Sequence, residues 1–239
     1  MVSLAGLRLL ALLTAKELHA TFTSAVGYTV AAVFLLVLGY TFSLTLFATK
    51  VANLIYIFHQ MYVLSILLVP VLTMRAFAEE RRADTLELLL TAPVAEIWIV
   101  LAKFLASYAL VLMMYAVSVT YALVLGVYGE PDWGPIYSGY LALALLAAVL
   151  VAIGVAMSTL SENQVVAAAS SLGVFLMLWF ADSAAYMLPS PIDALAIGLS
   201  LIGHFKPLVS GSVFLSDVGY FLMLALLALF LATRKVADR

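Results

Sequence analysis

The stretch "MRAFAEERRADTLELLLTAPVAEIWIV", residues 74–100, holds eight charged side chains between long aliphatic segments. The chain has 239 residues and only 24 charged ones, 11 basic and 13 acidic, so a third of its charge lies in this stretch. Hydrophobic residues make up 66% of the chain, and the mean hydropathy is +1.19. A water-soluble domain is about 25% charged, whereas this chain is 10% charged. The composition therefore predicts a membrane protein whose charges gather at the membrane surface.

On both sides of this stretch the sequence predicts membrane-spanning helices. A helix needs about 20 mostly apolar residues to cross the hydrocarbon core of a bilayer, and six segments satisfy that requirement. The segments are continuously apolar, which favours helices over the alternating strands of a barrel. We therefore expect an all-α membrane fold in a single domain, 1–239, with spans at 26–47, 60–77, 97–125, 140–157, 165–186 and 218–232.

Lys and Arg residues are unevenly divided between the two sides of this arrangement. Nine lie on the side of the amino terminus and two on the opposite side, and such an excess marks the cytoplasmic side. Both termini and residues 74–100 are therefore expected in the cytoplasm. The nine are Arg8, Lys16, Arg75, Arg81, Arg82, Lys103, Arg234, Lys235 and Arg239, and the two are Lys50 and Lys206.

Two further helices are predicted outside the spans. Residues 1–24 combine apolar and charged residues, which is typical of an interfacial helix that leads into the first span. Between the fifth and sixth spans, Ser190 is a candidate N-cap and Gly203 a candidate stop for a helix over 191–202. At 1.5 Å per residue this helix is only about 18 Å long, too short to cross, so we expect it at the outer face.

The charged stretch itself contains the signals of a short helix. Asp84 precedes Thr85 and is followed three residues later by Glu87. At that spacing a cap residue and an N3 side chain satisfy each other's free backbone donors. Pro93 cannot continue a helix. A helix over 84–92 is therefore predicted, lying across the cytoplasmic ends of the second and third spans.

One face of that short helix is apolar. Leu86, Leu89 and Leu90 share it at helical spacing, and an exposed leucine face needs a partner that buries it. One interpretation is a solvated loop whose charges only fix the orientation of the chain. Acidic residues contribute little to orientation, however, and the stretch from 74 to 100 has five of them. We therefore favour a docking site for another protein, with the charges as its polar rim.

The sequence "FAEERRADTLELLLTAPV" at 77–94, followed by "VLAKFLASY" at 100–108, resembles the cytoplasmic loop of type 2 ABC exporter permeases, most closely the gliding-motility-associated group. Asp84 stands where many members of the group have Gly, and a cap supplied by its side chain fits the same role. Three more stretches are similar to the same group: "KELHATFTSAVGYTVAAVFLLVLGY" at 16–40, "STLSENQVVAAASSLGVFLMLW" at 158–179 and "HFKPLVSGSVFLSDVGYFL" at 204–222.

The resemblance implies a permease subunit of an ATP-binding-cassette exporter in a prokaryotic inner membrane. Two permease chains, identical or related, would form one pathway through the lipid bilayer, and two separate ATPase subunits would bind ATP and Mg²⁺. The helix over 84–92 would be a coupling helix that docks into a groove of the ATPase. The coupling interface implied by the resemblance comprises Glu79, Glu80, Arg81, Arg82, Asp84, Thr85, Leu86, Glu87, Leu88, Leu89, Thr91 and Pro93.

Other functional classes are less well supported by the sequence. The chain has no G-x-x-x-x-G-K-[ST] motif for phosphate binding, so we expect no cofactor in the chain itself and no ATP hydrolysis by it. An intramembrane enzyme would need paired carboxylates or a His cluster at membrane depth, and a stand-alone secondary transporter usually shows inverted repeats. The sequence shows neither feature. It has no basic tail that would indicate a nucleic-acid partner, and the absence of cysteine excludes thiolate metal sites.

Four residues outside the loop are candidates for a second contact with the ATPase. They are Lys16 and Glu17 before the first span, and Glu162 and Asn163 in "LSENQ" at 160–164. The alternatives are structural. Lys16 fits an interfacial lysine whose stem lies along apolar surface, and Ser161 with Gln164 fits a capping box at the start of the fifth span.

Two remaining features predict structural contacts and no catalytic role. Asp182 lies about 25 Å along the fifth span from Val165 at 1.5 Å per residue, so a polar contact or solvent near the outer headgroups is expected. Small residues in 152–158 and 167–173 are spaced for close helix approach. They predict tight packing between the fourth and fifth spans.

Overall fold

The computed structural model describes residues 4–49, 53–82, 95–185 and 187–238. Helices account for all the regular secondary structure in these ranges, which confirms the all-α fold class. The helices, numbered in chain order, are α1 (Leu4–Thr23), α2 (Ala25–Thr49), α3 (Ile55–Thr73), α4 (Arg75–Arg82), α5 (Glu96–Tyr128), α6 (Trp133–Ser158), α7 (Gln164–Ala185), α8 (Ile192–Leu199), α9 (Leu201–Val209) and α10 (Leu215–Ala237).

Six helical segments are long and apolar enough to cross a membrane, as predicted. They are α2, α3 together with α4, and α5, α6, α7 and α10. Two of them start earlier than the apolar pattern indicates, because α3 begins at Ile55 and α6 at Trp133. At the start of α6 the carboxylate of Asp132 accepts a hydrogen bond of 3.0 Å from the amide of Gly134. This cap starts the helix before its apolar run begins.

Helix α6 lies at the centre of the bundle. α10 and α3 pack most extensively against it, and α5, α7 and α9 also contact it. Leu146, Leu150 and Val151 of α6 are fully buried. The amino-terminal helix α1 packs mainly along α5, so it belongs to the bundle and leads through Ser24 into α2.

Gly154 of α6 lies at a different contact from the predicted one. A Cβ atom placed on Gly154 would collide with the side chain of Thr73 in α3. A Cβ on Gly173 of α7 would meet no other described atom within 4 Å. At Gly154 the close approach therefore joins the fourth span to the second span, so the prediction is wrong for these two glycines, although α6 and α7 do pack against each other.

The connection between α7 and α10 contains two helices where one was predicted. α8 and α9 meet at Ser200 with a bend of 54°, as in a re-entrant segment or a broken span. Ser200 has an extended backbone, and its hydroxyl accepts a hydrogen bond of 3.1 Å from the amide of Gly203. Gly203 thus lies in the first turn of α9 and does not end the predicted helix over 191–202. At the other end the N-cap is Pro191, without a side-chain bond, and not Ser190.

Side chains of α10 hold this bent pair in place. The Nδ1 atom of His204 lies 2.7 Å from Oδ1 of Asp217, and the imidazole stacks on Tyr220 with 4.0 Å between ring centroids. The hydroxyl of Tyr220 donates a hydrogen bond of 2.6 Å to the carbonyl of Leu199, directly before the bend. At this end of the bundle Asp182 lies 3.8 Å from Lys206, a polar contact of the kind expected for it.

Candidate functional site

The predicted coupling interface begins on α4, which follows α3 after the single turn residue Met74. Residues 79–82 are the last four of this helix. The predicted coupling helix over 84–92 lies outside the described residues. With it lie Asp84, Thr85, Leu86, Glu87, Leu88, Leu89, Thr91 and Pro93.

The start of α4 is held by a residue from the end of α6. The hydroxyl oxygen of Ser158 accepts hydrogen bonds from the amides of Phe77 and Ala78, at 2.8 and 3.1 Å. The same hydroxyl donates to the carbonyl of Met74 at 3.3 Å. A serine hydroxyl has one donor and two acceptor sites, so the capacity of Ser158 is filled. Amides in the first turn of a helix have no partner within the helix, and here α6 supplies it.

A buried lysine joins three helices at the same end of the bundle. The Nζ atom of Lys103 in α5 lies 2.7 Å from Oε1 of Glu80 in α4 and 3.4 Å from Oε2 of Glu17 in α1. Only 3% of the Lys103 side chain is exposed. The ammonium also lies 5.2 Å from the ring centroid of Phe77, within cation–π range. We call Lys103, Glu17 and Glu80 the Lys103 cluster.

The four charged residues that end α4 divide into two pairs. Glu80 and Arg81 face the bundle, with Arg81 buried and Glu80 bound to Lys103. Glu79 and Arg82 are exposed. The inner face of α4 therefore anchors the helix, and the outer face is open to a partner.

The four candidates for a second contact lie near this end of the bundle. Lys16 is exposed and lies 3.9 Å from Glu17, which itself belongs to the Lys103 cluster. Glu162 and Asn163 are exposed in the turn that follows Ser158. The start of α7 is capped by Asn163, whose side-chain oxygen accepts from the amide of Val165 at 2.9 Å.

The predicted capping box of Ser161 and Gln164 is therefore wrong. The hydroxyl of Ser161 accepts a hydrogen bond of 3.1 Å from the amide of Asn163, within the turn. Asn163 directly precedes α7, so its side-chain oxygen reaches a free amide of the first turn and acts as the N-cap. Among the described residues, no group of three or more His, Asp or Glu side chains is arranged to hold a metal ion.

Sequence reasoning missed Ser158 and Lys103 as parts of the site. The sequence pattern predicts for Lys103 only a role in orientation, although the residue lies seven positions into a long apolar helix. An ionisable residue at such a position is a signal of function or of a specific partner. Ser158 belongs to the small residues of 152–158 that predict close packing, but the sequence does not indicate that its hydroxyl caps another helix.

The comparisons with known proteins agree with this architecture. The family model described as "ABC-2 family transporter protein" matches residues 58–233, from α3 to α10. No curated protein matches the chain. The matched region covers well over half of the chain and contains five of the six candidate spans. The chain therefore belongs to the ABC-2 transporter family, as a multi-pass membrane permease.

Proposed function

We propose that this chain is one of two permease chains that together form the pathway of an ABC exporter, driven by two ATPase subunits. The family match supports this proposal, because the ABC-2 membrane protein is the non-catalytic component and the ATPase is a separate subunit in this family. ATP and Mg²⁺ would then be bound by the ATPase, and the permease would sit in a prokaryotic inner membrane. The similarity to the gliding-motility-associated group remains a prediction from sequence.

The observation that carries the coupling role is the anchoring of α4. This helix leads directly into the predicted coupling helix, and its inner face is bonded to α6 through Ser158 and to α5 and α1 through Lys103. A displacement of α4 would therefore move three other helices with it. Rigid-body motion of packed elements is a common way in which a small local shift becomes a global one.

In this proposal the loop 79–93 docks on the ATPase with both termini on the cytoplasmic side. Glu79 and Arg82 on the outer face of α4 would add polar contacts to those of the coupling helix. Lys16, Glu17, Glu162 and Asn163 would lie around the docked subunit. Closure of the ATPase dimer around ATP would then push α4 and reorient the spans.

The test is purification of the tagged chain from native membranes with every protein that accompanies it. We expect a protein with a G-x-x-x-x-G-K-[ST] motif and ATPase activity to co-purify. Glu87→Lys and Leu89→Asp should abolish this co-purification while the chain still inserts in the membrane, because they remove a charge contact and an apolar contact of the docking face.

The matched control is Glu130→Lys, since Glu130 is exposed in the turn between α5 and α6, at the opposite end of the bundle. This variant should retain the ATPase. If Glu87→Lys and Leu89→Asp retain the ATPase and its substrate-stimulated hydrolysis, the loop is not the coupling site.

A further inference from the structure

A polar cleft of about 460 Å³ opens where α1 turns into α2. Helices α4 and α5, with Leu72 of α3, form its other walls. Three cations and three carboxylates line it, so the cleft carries both signs of charge in equal number. They are Lys16, Arg75 and Lys103, and Glu17, Glu79 and Glu80.

The charges at the back of the polar cleft and those at its rim are held differently. At the back, Lys103 is engaged by Glu80 and Glu17. At the rim, Lys16 lies 3.9 Å from Glu17 and Arg75 lies 4.0 Å from Glu79, and the two cationic side chains are 65% and 40% exposed. Ion pairs this long, each with an exposed cation, contribute little to stability. The rim charges are therefore available to a ligand.

Arg75 also has unused hydrogen-bonding capacity. Its Nε atom is buried and donates to no residue that the structure describes. A buried donor without an acceptor is unfavourable, so an acceptor that reaches Arg75 from the polar cleft would be bound more tightly.

An apolar groove continues from the polar cleft along α5. The groove is shallow, about 60 Å³, and shares Thr21 and Gly27 with the cleft. A Cβ on Gly27 would lie 2.7 Å from the carbonyl oxygen of Thr21, so glycine permits the tight turn that joins the two spaces. The groove is lined further by Phe22, Tyr28, Ala31, Leu35, Leu110, Met113, Met114 and Val117.

The two spaces lie on one face of α5, on successive turns. Lys103 and Ser107 line the polar cleft, and Leu110, Met114 and Val117 line the groove. At 1.5 Å per residue, the groove extends about 15 Å beyond Ser107. A polar space with both charge signs followed by an apolar groove matches the outline of a membrane lipid.

We propose that the cleft and groove bind a phospholipid whose headgroup carries a phosphate and a primary ammonium, as in phosphatidylethanolamine. The phosphate accepts hydrogen bonds from Lys16 and Arg75, and the ammonium donates to Glu79 and Glu17. An acyl chain lies in the groove beside α5. This binding goes beyond the proposed function, since it needs no ATPase.

The charges of the polar cleft distinguish this lipid from other lipids. A headgroup with phosphate but no ammonium, as in phosphatidylglycerol, would engage Lys16 and Arg75 but would offer no cation to Glu17 and Glu79, the carboxylates that pair with those two side chains in this structure. The quaternary ammonium of phosphatidylcholine has no N–H group to donate to a carboxylate. We therefore expect phosphatidylethanolamine to bind at least about tenfold more tightly than either, since a charge-assisted hydrogen bond contributes enough for such a ratio.

The experiment measures lipid binding to the full-length chain, purified in detergent and stripped of lipid. Native mass spectrometry and the thermal unfolding midpoint are followed as dioleoyl phosphatidylethanolamine, phosphatidylcholine or phosphatidylglycerol is added. Only the first should bind at low micromolar concentration and raise the midpoint.

Matched variants test each half of the site. Arg75→Gln should weaken binding of phosphatidylethanolamine about tenfold. Arg82→Gln, on the same helix but exposed and outside the polar cleft, should leave binding unchanged.

For the groove, Ala31→Trp should fill the space and abolish lipid binding. Ala32→Trp, at the exposed neighbouring position outside the groove, should leave binding unchanged. Met113→Trp fills the groove from α5 and replaces Ala31→Trp if that variant does not fold.

Equal binding of the three lipids would overturn the proposal. So would unchanged binding of phosphatidylethanolamine by Arg75→Gln or by both groove-filling variants. Soluble glycerophosphoethanolamine separates the headgroup from the lipid, and if it stabilises the chain as well as the lipid does, the groove has no role. None of these results depends on an ATPase, so they are distinct from a failure of the proposed coupling.

Discussion

At the scale of single residues, Lys103 is the side chain that joins the most helices at the end of the bundle where α4 lies. A lysine buried among apolar helices is unfavourable unless its charge is matched, and Glu80 and Glu17 supply two carboxylates within 3.4 Å. The three residues come from three helices, so the stability of the cluster depends on α1, α4 and α5 keeping their relative positions. The stability of the cluster therefore depends on the position of α4 at the proposed coupling site.

Lys103→Met should destabilise the chain because it removes the buried cation that lies between the carboxylates of Glu17 and Glu80. Removing one partner of a fully buried ion pair costs about 3–5 kcal/mol. The carboxylates here retain some contact with solvent, at 19% and 22% exposure, so we expect about 1–3 kcal/mol. The measurement is the unfolding free energy of the purified chain in detergent.

Lys206→Met is the matched control for Lys103→Met. Lys206 is 56% exposed and pairs with Asp182 at 3.8 Å, and an exposed pair contributes only about 0–1 kcal/mol. Equal losses in the two variants would mean that the Lys103 cluster is no stronger than a surface ion pair. Glu17→Gln and Glu80→Gln added to Lys103→Met should recover part of the lost stability, since they remove the unpaired charges.

At the scale of elements, α4 depends on a contact with a helix that is distant in sequence. α4 has only about two turns after the break at Met74, and so short a helix depends on contacts with its neighbours for stability. Ser158 stabilises it by accepting hydrogen bonds from two amides of its first turn. This contact couples α4 to α6 more directly than packing alone.

Ser158→Ala should lower the stability of the chain by about 1–3 kcal/mol, because it leaves buried amides without an acceptor. It should also weaken the response of ATP hydrolysis to substrate in the assembled complex, since α4 loses its link to α6. Unfolding in detergent and substrate-stimulated hydrolysis after co-purification with the ATPase measure the two effects.

The control is Ser171→Ala. Ser171 is also fully buried, but its hydroxyl donates only to the carbonyl of Ala167 in its own helix. The carbonyl of Ala167 still accepts a hydrogen bond within the helix when the hydroxyl is removed. The free energy of unfolding should therefore fall by less than about 1 kcal/mol. If Ser158→Ala is as mild as Ser171→Ala, then α4 is held by packing and the capping contact is dispensable.

Elements were predictable from the sequence where length and hydropathy define them, and not where a tertiary contact does. The six spans follow from apolar runs of sufficient length, and the structure contains all six. The sequence pattern does not predict the break at Ser200, because the residues before it are as apolar as those of an unbroken helix. Its position depends on the cap at Gly203 and on Tyr220, which reaches Leu199 from α10.

The candidate site was predictable only in part for the same reason. Residues 79–82 were identified from local charge and from a family resemblance, both of which are readable in a short segment. The Lys103 cluster joins residues that are 86 and 23 positions apart. Pairings at such separations depend on helix packing, which the sequence pattern does not specify.

At the scale of the whole molecule, the number of spans and the orientation of the chain are linked. Six spans place both termini on one side. The bent pair α8 and α9 would add a seventh span if it crossed the membrane, and the carboxyl terminus would then lie on the opposite side from the amino terminus. The excess of Lys and Arg on one side predicts six spans with both termini in the cytoplasm.

Residues 1–239 contain no cysteine, so this arrangement is directly testable. Single replacements at exposed positions, Glu130→Cys, Glu162→Cys, Ser212→Cys and Asp238→Cys, introduce one thiol each on the four informative segments. With six spans, a membrane-impermeant maleimide applied to intact cells should label the cysteines at 130 and 212, and those at 162 and 238 only after permeabilisation.

The unmodified chain is the control and should take no label under either condition. Labelling at 238 in intact cells together with protection at 212 would show that α8 and α9 cross the membrane as a seventh span. Labelling at 162 in intact cells would reverse the orientation of the whole bundle. Residues 79–93 and the Lys103 cluster would then face away from any cytoplasmic ATPase, because α4 is bonded through Ser158 to the segment that contains Glu162.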